Sequence, residues 1–256
     1  MREGSLSRDS KTMFIRSLRL SFRHPGTIGL SLLMPASLLA VFVYVFGGAL
    51  DVGDFSVANY IVPGVILLTI GQSTPPISVR LNEDMTKGVI DRFRTMPIAQ
   101  SSLLVGHIMA TVLQSIVTVA IAIGVSLLVG FRPQAGLTEW LMAGGIIMLY
   151  IIMMMWLAVL IGVYAKTSES ASGLMTLIGV LPFLSSGFVP TDTMPHILRI
   201  FAENQPMTSI IDAVRALLLN DPLKKSVLYL ALLWCVGLAF VFCVTSLYVY
   251  SRKTAK

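Results

Sequence analysis

Trp140-Leu-Met-Ala-Gly-Gly-Ile-Ile-Met-Leu-Tyr150-Ile-Ile-Met-Met-Met-Trp156-Leu-Ala-Val-Leu-Ile-Gly-Val-Tyr164-Ala165 carries no Asp, Glu, Lys or Arg. It exceeds the roughly 20 apolar residues that a helix needs to cross a bilayer. In hydrocarbon only a helix or a closed barrel satisfies every backbone N–H and C=O. A barrel strand would alternate apolar and polar residues over about ten positions, and this run does not alternate. It reads as a membrane-spanning helix. Further charge-free runs lie at 24–50, 55–79, 95–131, 170–191 and 226–251. Six spans are therefore expected, near 27–47, 59–79, 103–129, 140–165, 170–188 and 227–250. The expected fold is an all-α polytopic membrane protein, a single transmembrane domain over 1–256 without repeats, low-complexity tracts or a soluble domain. The first apolar run is of span length and reads as a span, not a cleaved leader.

Composition agrees. Of 256 residues, 55% are hydrophobic and 12% charged, against about 25% charged in a typical soluble domain. Mean hydropathy is +0.81. A water-soluble globule could not hide that much apolar surface, and disorder is excluded on the same ground. Cys235 and Cys243 alone build neither a disulfide framework nor a zinc site. With six spans both termini share one side. Fourteen Lys and Arg fall on that side, in the N-terminus, the 80–101 loop, Lys166 and the tail; five fall on the other (Arg132, Arg199, Arg215, Lys224, Lys225). The excess of basic residues marks the cytoplasmic face. Both termini and the 80–101 loop are expected in the cytoplasm, with the chain multi-pass in the cytoplasmic membrane. No nucleic-acid partner is expected.

Two cytoplasmic stretches stand out. In residues 10–24, Phe14, Ile15, Leu18 and Phe22 share one helical face, beside Arg16, Arg19 and Arg23. This N-terminal amphipathic elbow helix suits the headgroup plane, and it could also touch a cytoplasmic partner. Pro25 breaks it from the first span. In residues 80–97, Arg80, Glu83, Asp84, Lys87, Asp91, Arg92 and Arg94 are charged, while Met85, Val89 and Phe93 recur every fourth residue. Gly88 can end one helical turn and Pro97 limits the next. A short helix with an apolar ridge would dock on protein; a solvated connector carrying positive-inside charge is the other reading.

Within the spans, Gln72, Ser73, Thr74, Pro75 and Pro76 interrupt the second. Prolines there bend a helix, and the polar side chains can bond a neighbour or line a path. The fifth carries Thr176, Gly179, Pro182, Ser185 and Ser186. No acid, Lys or Arg lies mid-span, which disfavours a proton-coupled pump. His107, near the start of the third span, reads as structural or functional. Ala231, Cys235, Ala239 and Cys243 form a small-residue stripe for close helix packing. Met148 and Met153–Met155 read as lipid-facing or core filler, not as a metal site.

Residues 189–225 lie outside. Ser209-Ile-Ile-Asp212 looks like a capping box. Ile210, Ile211, Val214, Leu217 and Leu218 share one face, Asp212 and Arg215 are spaced to pair, and Asn220-Asp-Pro222 ends the helix. The segment reads as an outer re-entrant helical hairpin between spans five and six, or as an interfacial packing helix.

Several stretches together resemble one family. They are Tyr44-Val-Phe-Gly-Gly48, Asn59-Tyr-Ile-Val-Pro-Gly64, Asp84…Gly88…Asp91-Arg-Phe-Arg-Thr-Met-Pro97, and Ser185-Ser-Gly-Phe-Val-Pro190…Met194-Pro195…Asn204…Pro206…Asp212-Ala-Val-Arg-Ala-Leu-Leu218. They resemble the type-2 ABC exporter permeases of the daunorubicin-resistance, drug-export kind, in order and over nearly the whole chain. One departure is Gln205, which stands before Pro206 where the family more often follows Asn directly with Pro.

The resemblance implies two permeases, a second copy or a related chain, working with two separate ABC ATPase subunits. It implies that Glu83, Asp84, Lys87, Gly88, Asp91, Arg92, Phe93, Arg94 and Pro97 belong to a cytoplasmic coupling helix seated on the ATPase. The second and fifth spans would surround a central cavity, so that Gln72, Ser73, Thr74, Pro75, Thr176, Pro182, Ser185 and Ser186 become candidates for a substrate path. The outer segment, with Pro190, Pro195, Asp212 and Arg215, would be a lid. No cofactor is expected in this chain; Mg-ATP would sit on the partner, since no Gly-x-x-x-x-Gly-Lys-Ser/Thr loop occurs here. The expected function is export of a hydrophobic or amphiphilic small molecule or lipid across the bilayer, by alternating access and without covalent chemistry. A lipid-linked glycan or cell-wall lipid is the alternative cargo. An ion-coupled carrier or an intramembrane enzyme is remote, because no paired Asp, Ser-His or His-Glu-x-x-His set occurs at membrane depth.

Overall fold

A computed structural model of the chain describes residues 33, 35–47, 56–86, 100–222 and 224–254, without the side chains of 100–107, 110 and 254. Among these residues the fold is helical, with no strand. The elements are α1 (Pro35–Val45), whose last turn Val41–Val45 is π-wound, α2 (Val57–Ser73), α3 (Pro75–Thr86) and α4 (Gln100–Val129). Then follow α5 (Leu137–Tyr164), α6 (Ser168–Gly179), α7 (His196–Asn204), α8 (Pro206–Leu219) and α9 (Lys225–Thr254). Single 3₁₀ turns at Leu181–Leu184 and Thr191–Thr193 lie between α6 and α7.

Among the described residues four stretches are long and apolar enough to cross a membrane: Val57–Thr86, Thr111–Val129, Leu137–Tyr164 and Lys225–Lys253. Pro35–Val45 and Ser168–Leu184 are shorter apolar helices. The six expected spans thus correspond, among the described residues, to four full-length helices and two short ones. The fifth stops early for a visible reason. Val180 N–H bonds back to Leu177 O, tightening the last turn, and Pro182 in the following 3₁₀ turn has no N–H to continue a helix. The elbow residues Arg16, Arg19 and Arg23 lie outside the described residues. So do Lys87, Gly88, Asp91, Arg92, Phe93, Arg94 and Pro97.

The second span runs further than the hydropathy suggests. α3 continues past Arg80 to Thr86, so Glu83 and Asp84 are helical and half-buried. Between α2 and α3 the ladder breaks at Thr74. Pro75 and Pro76 bring no N–H, so carbonyls one turn earlier lose their donors. Local hydroxyls replace them: Thr74 Oγ1 donates to Gly71 O at 2.7 Å and Ser73 Oγ to Ile70 O at 2.8 Å. Ile77 N–H closes a short turn on Thr74 O at 3.1 Å.

α2 is the centre of the bundle, packed by α4, α6, α8 and the 181–184 turn, while α9 lies along α5 and α8. Lipid removes the hydrophobic drive between helices, so close backbone approach and dispersion hold such bundles. Two glycine contacts set that approach. A Cβ on Gly64 would lie 2.7 Å from Gly187 O, and one on Gly71 would lie 2.9 Å from Gly179 Cα. The small-residue stripe of α9 is turned inward at Ala231 and Cys235, and Met153–Met155 fill the core.

Hydrogen bonds between elements define two ends. At one, Arg132 N–H donates to Asn59 Oδ1 at 2.9 Å and Gln134 N–H to Leu218 O at 3.0 Å. At the other, Asn82 of α3, the α5–α6 connection and Lys253 of α9 meet.

Candidate functional site: the Arg215 junction and the break in the second span

Pro206 opens α8, its fixed φ suiting the first helical position, and Gln205 precedes it in extended conformation. The helix therefore begins three residues before the expected capping residue. Ser209 is a buried interior residue, and Asp212 pairs elsewhere. Proline's preference for the first turn overrides the weaker capping pattern. Gln205 turns its amide to Leu184 O, tying the start of α8 to the turn that ends the fifth span. At the other end Asn220 takes the left-handed conformation, φ 54°, and closes the helix.

Arg215 is the hub. It is 8% exposed, and its guanidinium serves three elements. Nη1 donates to Asp212 Oδ1 at 2.7 Å, one turn back on α8. Nη2 donates to Ser186 O at 2.6 Å and Nε to Tyr60 O on α2 at 3.1 Å. The planar fork also lies 3.9 Å over the Tyr60 ring, a favourable placement for a cation. Ser186 Oγ donates to Asp212 Oδ1 at 2.6 Å. A charged fork in which each of the three nitrogens donates, one of them to a carboxylate, is what makes a buried arginine tolerable. The Asp212–Arg215 pair expected from spacing is thus formed, and Ser186 joins it.

The remaining candidates separate into groups. Ser185 Oγ donates to Pro182 O and accepts from Gly187 N–H at 3.1 Å. Ser185, Ser186 and Pro182 are all buried. Pro190 and Pro195 flank the exposed Thr191–Thr193 turn, Pro195 preceding α7. α7 exposes Ile197, Ile200 and Phe201. On the same helix Glu203 bonds Arg199 and holds its guanidinium above the ordinary range, first through the hydrogen bond and then through charge.

Gln72, Ser73, Thr74 and Pro75 sit at the break in the second span, about 18 Å along the helix from Tyr60 at 1.5 Å per residue. Thr74 and Pro75 are buried, Gln72 half-buried, and Ser73 Oγ lies 3.2 Å from Ser115 Oγ of α4. Thr176 is exposed on α6 beside Leu177. The polar groups at the break form a second cluster with Ser115, separate from the Arg215 junction, and Thr176 is not joined to it. The side chain of His107 lies outside the described residues.

Sequence reasoning missed Tyr60, Asn82 and Lys253. Asn82 and Lys253 donate to main-chain carbonyls of distant helices, and Tyr60 offers its own carbonyl and ring to Arg215; no local pattern marks any of these. Gln205 did leave a signal, as the departure from the family pattern. Among the described residues no three His, Cys, Asp or Glu side chains converge to hold a metal ion.

The described residues form a bundle of apolar helices, four of them long enough to cross a membrane, with polar breaks in two central segments. Residues 8–219 match the ABC-2 type transporter family, and the chain belongs to it. It is 31% identical over 240 residues, 92% of this chain and 84% of the relative, to the daunorubicin resistance ABC transporter permease protein DrrB1 of Streptomyces coeruleorubidus. It is 23% identical over 225 residues, 88% of this chain and 81% of the relative, to the probable doxorubicin resistance ABC transporter permease protein DrrC of Mycobacterium tuberculosis. The chain is an integral membrane permease of the ABC type, a transport component homologous to drug-resistance exporter permeases.

Proposed function

We propose that this permease forms the membrane path of an ATP-driven exporter that moves a hydrophobic or amphiphilic, drug-like compound out of the cytoplasm. Two permease copies, or this chain and a related one, pair with separate ABC ATPase subunits that bind Mg-ATP. The observation that carries the reading is the 31% identity across 92% of the chain to a permease named for daunorubicin resistance.

In this reading the chain crosses the cytoplasmic membrane six times, α1 and α6 belonging to the first and fifth spans. The end bearing Arg80, Lys166, Arg252 and Lys253 faces the cytoplasm, in keeping with the positive-inside rule. The 83–97 segment receives the ATPase. Glu83 and Asp84 stand on the last turn of α3, so a push on the loop is delivered along a helix that continues to the break at Thr74. α7 and α8 act as a re-entrant lid. Two contacts support that assignment: Arg215 lies beside Tyr60, and Ile211 touches Gly187, which itself abuts Gly64 deeper along α2. α8 therefore runs antiparallel to α2 within the bundle.

The test is reconstitution of the permease with its ABC ATPase in proteoliposomes. ATP-dependent daunorubicin movement is expected, absent with a hydrolysis-deficient ATPase. Glu83→Ala, Arg92→Ala and Phe93→Ala are each expected to reduce ATPase association or to leave hydrolysis running without export, while Lys256→Ala does neither. Transport by the permease alone on an ion gradient would overturn the function. Full export by all three loop variants would overturn the coupling role.

A further inference from the structure

α5 ends at Tyr164, with Ala165 as its cap residue. The last carbonyls of a helix have no partner within it, and near a bilayer they need donors from elsewhere. Here the donors come from two other spans. Asn82 of α3 is 2% exposed and gives away both amide hydrogens, to Gly162 O at 3.1 Å and to Ala165 O at 2.7 Å. Lys253 of α9 donates Nζ to Val163 O at 2.6 Å, a cation at the negative end of a helix. One turn before Asn82, the buried Ser78 donates its hydroxyl to Pro75 O at 2.8 Å, and the same oxygen lies 3.3 Å from Ala171 O in the first turns of α6. α3 therefore holds the α5–α6 connection from both sides, and Asn82 is the residue immediately before Glu83.

We propose that Asn82 is a positioning residue that carries displacement of the 83–97 loop into the α5–α6 junction. The inference rests on the coupling role given to that loop above. An apolar contact would let α3 slide over the end of α5. An amide bonded to two carbonyls three residues apart fixes both its height and its rotation. Movement of α3 must then take residues 162–171 along. α6 continues that movement to Gly179, where its backbone meets Gly71 just before the break in the second span. The paired Asn82 hydrogen bonds, the close approach of Ser78 to Ala171 and one backbone contact link the ATPase side to the centre of the bundle, a contiguous network of the kind that transmits coupling.

The experiment measures daunorubicin exported per ATP hydrolysed by the permease–ATPase complex in proteoliposomes. Asn82→Asp keeps the shape and removes both donors; Asn82→Gln keeps the donors. Asn82→Asp is expected to assemble with the ATPase and hydrolyse ATP, with export per ATP reduced about tenfold. Asn82→Gln is expected to recover most of the ratio. Asn82→Ala adds no charge and gives the same answer if the Asp variant is not recovered. Glu83→Ala is the reference. If Glu83→Ala uncouples and the Asn82 variants keep the wild-type ratio, the inference is overturned and the coupling role stands. If Glu83→Ala, Arg92→Ala and Phe93→Ala all keep the ratio as well, the coupling role fails, and the inference with it. Lower yield or melting temperature with an unchanged ratio means Asn82 only braces the fold, which also overturns the proposal.

Discussion

Arg215→Met keeps the apolar stem of the side chain and removes the fork. Three donated hydrogen bonds disappear, to Asp212, Ser186 O and Tyr60 O, together with the cation over the Tyr60 ring. Asp212 keeps only the Ser186 hydroxyl at 2.6 Å. Removing one member of a buried ion pair costs about 3–5 kcal/mol. The Asp212 side chain is 37% exposed, so water takes over part of the lost interaction and the expected loss falls to about 2–3 kcal/mol. At roughly 2–4 °C per kcal/mol for a chain of this size, the thermal midpoint of the purified permease should drop by about 5–10 °C. Arg215→Lys retains charge without the planar fork and should fall between. Adding Asp212→Asn to Arg215→Met should cost less than the sum of the two single changes, because both act on one interaction. A midpoint for Arg215→Met within about 1 °C of wild type would refute the reasoning, since a hub joining three elements cannot be silent.

Three further outcomes follow from the packing and the ends of the bundle. Gly71→Ala places a Cβ 2.9 Å from Gly179 Cα, and such overpacking should cost about 1–3 kcal/mol of stability; Gly173→Ala, where nothing lies within 4 Å, should leave the melting curve in place. The Tyr150 hydroxyl is fully buried and finds no hydrogen-bond partner among the described residues. Tyr150→Phe should therefore hold or raise the midpoint, and a loss above about 1 kcal/mol would count against that assignment. In intact cells, a cysteine at position 224 should react with an impermeant thiol reagent and one at position 252 should not; the reverse pattern would invert the proposed topology.

The run at 140–165 is legible because lipid leaves the backbone one economical choice, and α5 follows that run closely. Asp212 and Arg215 are legible because a helix brings residues three apart onto one face. The fifth span is less so. Hydropathy registers burial in apolar surroundings and does not register whether the buried backbone is wound. Ser185 and Gln205 satisfy irregular backbone between α6 and α8, so an apolar run passes through turns. The capping pattern at Ser209 failed against Pro206 three residues earlier. Tyr60 and Arg215 are 155 positions apart, and Asn82 and Ala165 are 83 apart. Periodicity says which side of each helix is polar, and does not say which other helix that side will meet.

The bond from Lys253 Nζ to Val163 O has a consequence for how the protein is made. α3 precedes α5 in the chain, so Asn82 is at hand for Gly162 O and Ala165 O as soon as α5 is made. Val163 O gains its cation only when the last turn of α9 arrives. The end of α5 is therefore closed in two stages, first by an amide from an earlier helix and then by a cation from a later one, and a Lys253→Met permease should keep the first closure and lack the second.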